Sequence, residues 1–64
     1  MLGTRIAAAR AAAGMSQDGL AELVGLDRRS IQRYEAGTRD PRYGDLLLIA
    51  RALDVPLAEL VREE

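Results

Sequence analysis

Between Arg28 and Arg33 the chain places three guanidinium groups and one primary amide within six residues, at Arg28, Arg29, Gln32 and Arg33. A guanidinium presents a planar fork of donors that matches guanine O6 and N7 or a phosphate, and a glutamine amide matches adenine N6 and N7. On a helix advancing about 100° per residue, with Arg28 at zero, Arg29, Gln32 and Arg33 fall within about 140°, whereas Tyr34, Ile31 and Glu35 fall between about 240° and 340°. A helix over Asp27 to Glu35 would therefore carry a long polar side and a side suited to a core. A solvated helix face could look the same, but crowded arginines repel one another until an anion neutralises them. If DNA is the ligand, the polar side is positioned to enter a major groove while Ile31 anchors the helix behind it. Arg28 and Arg29 would read bases near its start, and Gln32 and Arg33 would read bases or flanking phosphates.

Positioning such a helix requires others around it. Leu2 to Ala13 is alanine-rich, with Leu2, Ile6, Ala9 and Ala13 on one stripe, and Gly14 closes it. Ser16 can cap a second, short helix; Asp18 suits its positive end, and Leu20, Ala21, Leu23 and Val24 form its apolar side before Gly25. Gly25, Leu26 and Asp27 make a tight turn into the third helix, which Asp27 caps and which runs to about Ala36. Gly37 to Arg42 reads as a loop, and a fourth helix from about Tyr43 to Leu53 turns Leu46, Leu47, Ile49, Ala50 and Leu53 inward. After Pro56 a last helix over Leu57 to Arg62 buries Leu57 and Leu60, with Val61 at its margin. The reading is all-α, five helices and no strand, in a single domain over residues 1–64.

Composition sets bounds on the partner. The formal net charge is −1, which by itself argues against a nucleic-acid ligand. The average conceals a gradient: Arg28 to Arg42 holds five arginines against Glu35 and Asp40, a local +3, whereas Tyr43 to Glu64 holds two arginines against five acids, a local −3. All nine basic residues are arginine, a composition suited to bidentate recognition and also produced by genome-wide bias. With no cysteine and no histidine, no metal-ligand cluster, no phosphate-cradling glycine loop and no room expected for a pocket, an enzyme is disfavoured and no cofactor or small-molecule ligand is called for. The lack of cysteine, of a signal peptide and of any apolar run near the ~20 residues that span a bilayer suggests a soluble, cytoplasmic, nucleoid-associated protein and no membrane partner.

Two helices joined by a three-residue turn containing glycine have helix-turn-helix proportions. The string Gln17, Leu20, Ala21, Val24, Gly25, Ser30, Ile31, Glu35, Gly37 and Pro41 resembles the phage-repressor and Cro (Xre-type) helix-turn-helix family, and the likeness extends from Ile6 and Arg10 to Leu60. The resemblance implies a compact, lambda-repressor-like domain that regulates transcription by binding double-stranded DNA, as a repressor or Cro-like protein. It implies that Gln17, at the start of the second helix, clamps a phosphate; Ser16 and Ser30 are expected to join it, with Arg39 and Arg42 as the matching clamp on the opposite side. It further implies that Arg10 and Glu35 form a charge pair tying the first helix to the third, with Ala21, Gly25 and Ile31 supporting the recognition helix.

Several positions depart from the family pattern. Asp27 replaces the common serine or threonine cap, Gly44 stands where glutamate is frequent, and Asp54 stands where glycine commonly ends the fourth helix. Leu48 occupies a place usually polar, one turn before Ala52, which suggests an exposed apolar pair. With Leu57 and Val61 it forms a candidate contact surface for a homodimer on a palindromic operator, the two recognition helices standing about 34 Å apart. The alternative is a protein-interaction module, an antitoxin or a controller component that uses the same fold.

Overall fold

In the computed structural model, which describes residues 1–62, the chain forms five helices: α1 (Leu2–Ala12), α2 (Gln17–Val24), α3 (Arg28–Ala36), α4 (Tyr43–Ala52) and α5 (Leu57–Val61). Among the described residues there is no strand, and no helix is long and apolar enough to cross a membrane. Glu63 and Glu64, part of the acidic stretch noted above, lie outside the described residues.

The starts of α2 and α3 are set by short polar side chains. Ser16 takes an extended backbone and its Oγ accepts the Gly19 N–H at 2.9 Å; the Asp27 carboxylate accepts the Ser30 N–H at 2.8 Å. Each cap satisfies a donor that has no partner within the helix. The ends of α1 to α4 share one device. Gly14, Gly25, Gly37 and Asp54 have φ of 73°, 74°, 77° and 57°. The next residues, Met15, Leu26, Thr38 and Val55, donate their N–H groups back five positions to the carbonyls of Arg10, Ala21, Arg33 and Ala50 at 2.9 to 3.1 Å. This is the Schellman closure, in which one left-handed residue reverses the chain and satisfies terminal carbonyls.

Each helix contributes one fully buried large side chain to the centre: Ile6, Leu20, Ile31, Ile49 and Leu60. Ala21, Val24, Tyr34, Leu46, Ala50 and Leu53 complete the core. Helix α3 packs against α1 and α2, α2 also against α4, and α5 against α1 and α4. Helix α3 is thereby braced from behind. The tightest approach is at Gly3 in α1, buried where an added Cβ would stand 2.5 Å from the carbonyl oxygens of Tyr34 and Glu35.

Several sequence expectations are corrected. Helix α1 stops at Ala12, and Ala13 is exposed in the turn to Gly14 rather than part of a buried stripe. Leu23 is 64 % exposed because α3 and α4 cover only the Leu20, Ala21 and Val24 side of α2. Leu47, about 100° from Leu46 on the wheel, lies at the edge of the inward stripe and is 36 % exposed. Helix α4 ends at Ala52, with Leu53 as its cap, and α5 ends at Val61, with Arg62 extended. Ala52 is half-buried and packs against the core, so it does not form an exposed pair with Leu48; Leu57, expected to be buried, is half-buried against the core, which takes it out of the candidate contact surface, and Leu48 and Val61 are exposed. A cleft of about 300 Å³ also opens between α1 and α5, lined by Arg5, Ala8, Ala9, Val55, Glu59 and Leu60, where no pocket was expected.

Candidate nucleic-acid interface

The wheel of α3 is realised in space. Ile31 and Tyr34 are buried and Glu35 is half-buried, while Arg28, Arg29, Gln32 and Arg33 are all exposed. Ser30 is half-buried between the two sides, its N–H already used by the Asp27 cap. That hydrogen bond, a second from the Ser30 hydroxyl and, more weakly, the positive charges of Arg29 and Arg33 hold the Asp27 carboxyl below the usual carboxylate range. A fixed negative charge thus stands at the N-terminal edge of the arginine row.

Behind the row, Glu35 gathers three donors. Arg10 Nε reaches Glu35 Oε2 at 2.6 Å and Nη2 reaches Oε1 at 3.1 Å, a bidentate pair whose side chains are only 18 % and 8 % exposed. The remaining Arg10 amino group donates to the Met15 carbonyl at 2.8 Å, so one side chain ties α1, the α1–α2 turn and α3 together. The carboxylate holds the Arg10 pKa above its ordinary value, against the opposing effect of burial. Gln17 Nε2 donates to Glu35 Oε1 at 3.0 Å. The Gln17 amide is therefore oriented from inside the fold, with one N–H committed to Glu35 and one left for another acceptor.

On the opposite flank, the Tyr34 hydroxyl donates to Asp45 Oδ2 at 3.0 Å, fastening α3 to the first turn of α4. Burial raises the Tyr34 pKa first and this bond raises it further, while the charges of Arg39 and Arg42 oppose both. Those two arginines are exposed in the intervening loop and at the N-cap of α4. Ser16 is exposed at the α2 cap, where its oxygen accepts from Gly19 and its own O–H is left to donate.

Three features escaped the sequence reading. Gly3 had a signal, a lone glycine inside a helical run, which often marks a close approach. The Tyr34–Asp45 bond had none, because it depends on where α4 lands. Nor did the exposed pair between Arg28 Nε and Asp18 Oδ1, 3.8 Å apart, which depends on how α2 crosses α3.

A family model described as helix-turn-helix matches residues 6–60. The chain is 39 % identical over 57 residues to an uncharacterised HTH-type transcriptional regulator of Sinorhizobium medicae (strain WSM419), covering 89 % of this chain and 41 % of that protein. It is 36 % identical over 50 residues to the uncharacterised HTH-type transcriptional regulator YqaE of Bacillus subtilis (strain 168), covering 78 % and 43 %. The chain thus spans about two-fifths of the length of these curated relatives. Among solved structures it resembles the restriction-modification controller protein C.AhdI from Aeromonas hydrophila, with TM-score 0.88 and 41 % identity over 92 % of this chain and 89 % of that one. It also resembles the P22 c2 repressor protein in complex with a synthetic operator, with TM-score 0.92 and 26 % identity over 100 % and 97 %.

Proposed function

This chain belongs to the helix-turn-helix family, and on that footing we propose that it is the DNA-reading domain of a transcriptional regulator, repressor or Cro-like, with α3 lying in the major groove of its operator. The observation that carries this reading is the division of α3: four exposed groups able to recognise bases and phosphates, backed by Ile31 and Tyr34 in the core. Arg28, Arg29, Gln32 and Arg33 read base edges in this proposal. Gln17, through the N–H that Glu35 leaves unused, and Arg39 and Arg42 hold phosphates on either side; Ser16 offers a hydroxyl donor at the start of α2, and the Ser30 hydroxyl reaches a phosphate only by leaving the Asp27 carboxylate.

Reach limits what one copy can do. The nine residues of α3 extend about 13 Å, which spans about four base pairs. Two exposed leucines, Leu47 and Leu48, and the exposed Val61 lie on α4 and α5, and they support a homodimer that reads a palindrome with two recognition helices one DNA turn apart.

Selection from a random duplex library at fixed salt tests the assignment. The expected result is a motif with guanines in each half-site, bound with an affinity that falls steeply as salt rises. In the same assay Arg29→Ala should relax base preference at one position by roughly 1 to 3 kcal/mol. A library that emerges without any preferred sequence would refute DNA reading by this chain.

A further inference from the structure

Asp18 is the second residue of α2 and Arg28 the first of α3, and the crossing of the two helices brings Arg28 Nε to 3.8 Å from Asp18 Oδ1. Both side chains are largely in solvent, 59 % and 72 % exposed, where an ion pair adds little to folding stability. Its consequence lies instead in where it turns the guanidinium. We propose that Asp18 is a specificity-determining residue that acts through Arg28, holding it as a reader of guanine rather than a binder of phosphate; the proposal rests on α3 reading DNA.

The reasoning uses the two bonding edges of arginine. A guanidinium can present Nε with one amino group, or its two terminal amino groups, to a pair of acceptors. With Nε the atom nearest Asp18, at 3.8 Å, the terminal pair is the edge farther from the carboxylate and the one left for O6 and N7 of a guanine. The carboxylate also discriminates between the two acceptors that compete for Arg28. A phosphate approaching that guanidinium comes well within one screening length of the Asp18 charge and is repelled, whereas the guanine edge is uncharged. The same acid therefore weakens binding to DNA in general and sharpens the choice of base at the position Arg28 reaches.

These two effects separate in a mutant cycle. The wild-type protein, Asp18→Ala, Arg28→Ala and the double variant are titrated at one salt concentration against the duplex selected by the wild type and against a scrambled duplex, with circular dichroism confirming that each is folded. Asp18→Ala is expected to tighten binding to scrambled DNA about twofold to fivefold, because one repelling charge is gone. It is expected to lower the selected-to-scrambled ratio about threefold to tenfold, a part of what one bidentate contact supplies. In the Arg28→Ala background the same change should leave that ratio where Arg28→Ala alone puts it. A ratio that Asp18→Ala leaves unchanged, or lowers equally with and without Arg28, overturns the proposal and leaves Asp18 as a bystander charge. A wild-type protein that selects no sequence overturns instead the DNA-reading function beneath it.

Discussion

At position 3 an alanine Cβ would stand 2.5 Å from two backbone carbonyl oxygens of α3, those of Tyr34 and Glu35, and neither atom can swing aside as a side-chain tip would. At position 44, in the first turn of α4, an added Cβ meets nothing within 4 Å. The same substitution should therefore have opposite signs at the two sites. Gly44→Ala removes only the entropic penalty of glycine in a helix and should stabilise by about 0.5 to 1 kcal/mol. Gly3→Ala gains that same propensity but must push α1 away from α3, and overpacking of this kind costs about 1 to 3 kcal/mol. In a domain of this size each kilocalorie moves the midpoint by roughly 4 to 8 °C, so thermal unfolding followed by circular dichroism resolves the contrast. A Gly3→Ala variant as stable as the wild type would mean that α1 can slide freely on α3. The contact matters to the interface because Arg10, two turns further along α1, holds Glu35, and Glu35 in turn holds Gln17.

Among the helices, α1 to α4 end in one closure, yet only α4 entrusts its left-handed position to a residue with a side chain, Asp54 at φ 57°. Asparagine and aspartate accept that conformation better than most residues, but glycine accepts it without steric cost. Asp54→Gly should stabilise the protein by about 0.5 to 1 kcal/mol, whereas Gly25→Ala at the matching turn should destabilise it by about 1 to 2 kcal/mol. Urea unfolding of the two variants checks the pair, and an Asp54→Gly midpoint below that of the wild type would contradict it. The departure at Asp54 was visible in the sequence, as were both helix caps and the turns at Gly14, Gly25 and Gly37, because caps and left-handed turns are local choices of residue type. The inward side of α3 was equally legible, since beside Arg28, Arg29, Gln32 and Arg33 the only large apolar side chains are Ile31 and Tyr34, and both are buried. The inward side of α2 was not. Leu20, Leu23 and Val24 are all apolar, and which of them is covered is decided by the landing of α3 and α4, a tertiary outcome that leaves Leu23 outside. Asp18 and Arg28 are ten positions apart, and nothing local announces that they meet.

The described residues measure 29 × 23 × 20 Å and carry one α3, whereas successive major-groove sites on one side of a duplex stand roughly 34 Å apart. A palindrome with that spacing therefore demands a second copy, and the charge gradient indicates how the two would be arranged. In the proposed reading the arginines of α3 and the following loop face DNA, whereas α4 and α5 carry Asp45 and Glu59, with Asp54 in the turn between them, together with the exposed Leu47, Leu48 and Val61. Joining two copies through that apolar surface would leave both arginine helices free to face DNA. Leu48→Glu tests the arrangement with little risk to the fold, because this side chain is 44 % exposed and outside the core. Linking two half-site contacts makes the second effectively intramolecular, so loss of the dimer should weaken binding to a two-half-site operator by about a hundredfold or more while binding to an isolated half-site hardly changes. Sedimentation equilibrium should show the variant as a monomer at concentrations where the wild type associates. If Leu48→Glu binds both duplexes as the wild type does, the contact between copies lies elsewhere, and the exposed leucines of α4 are ordinary surface residues of the kind every globular protein carries.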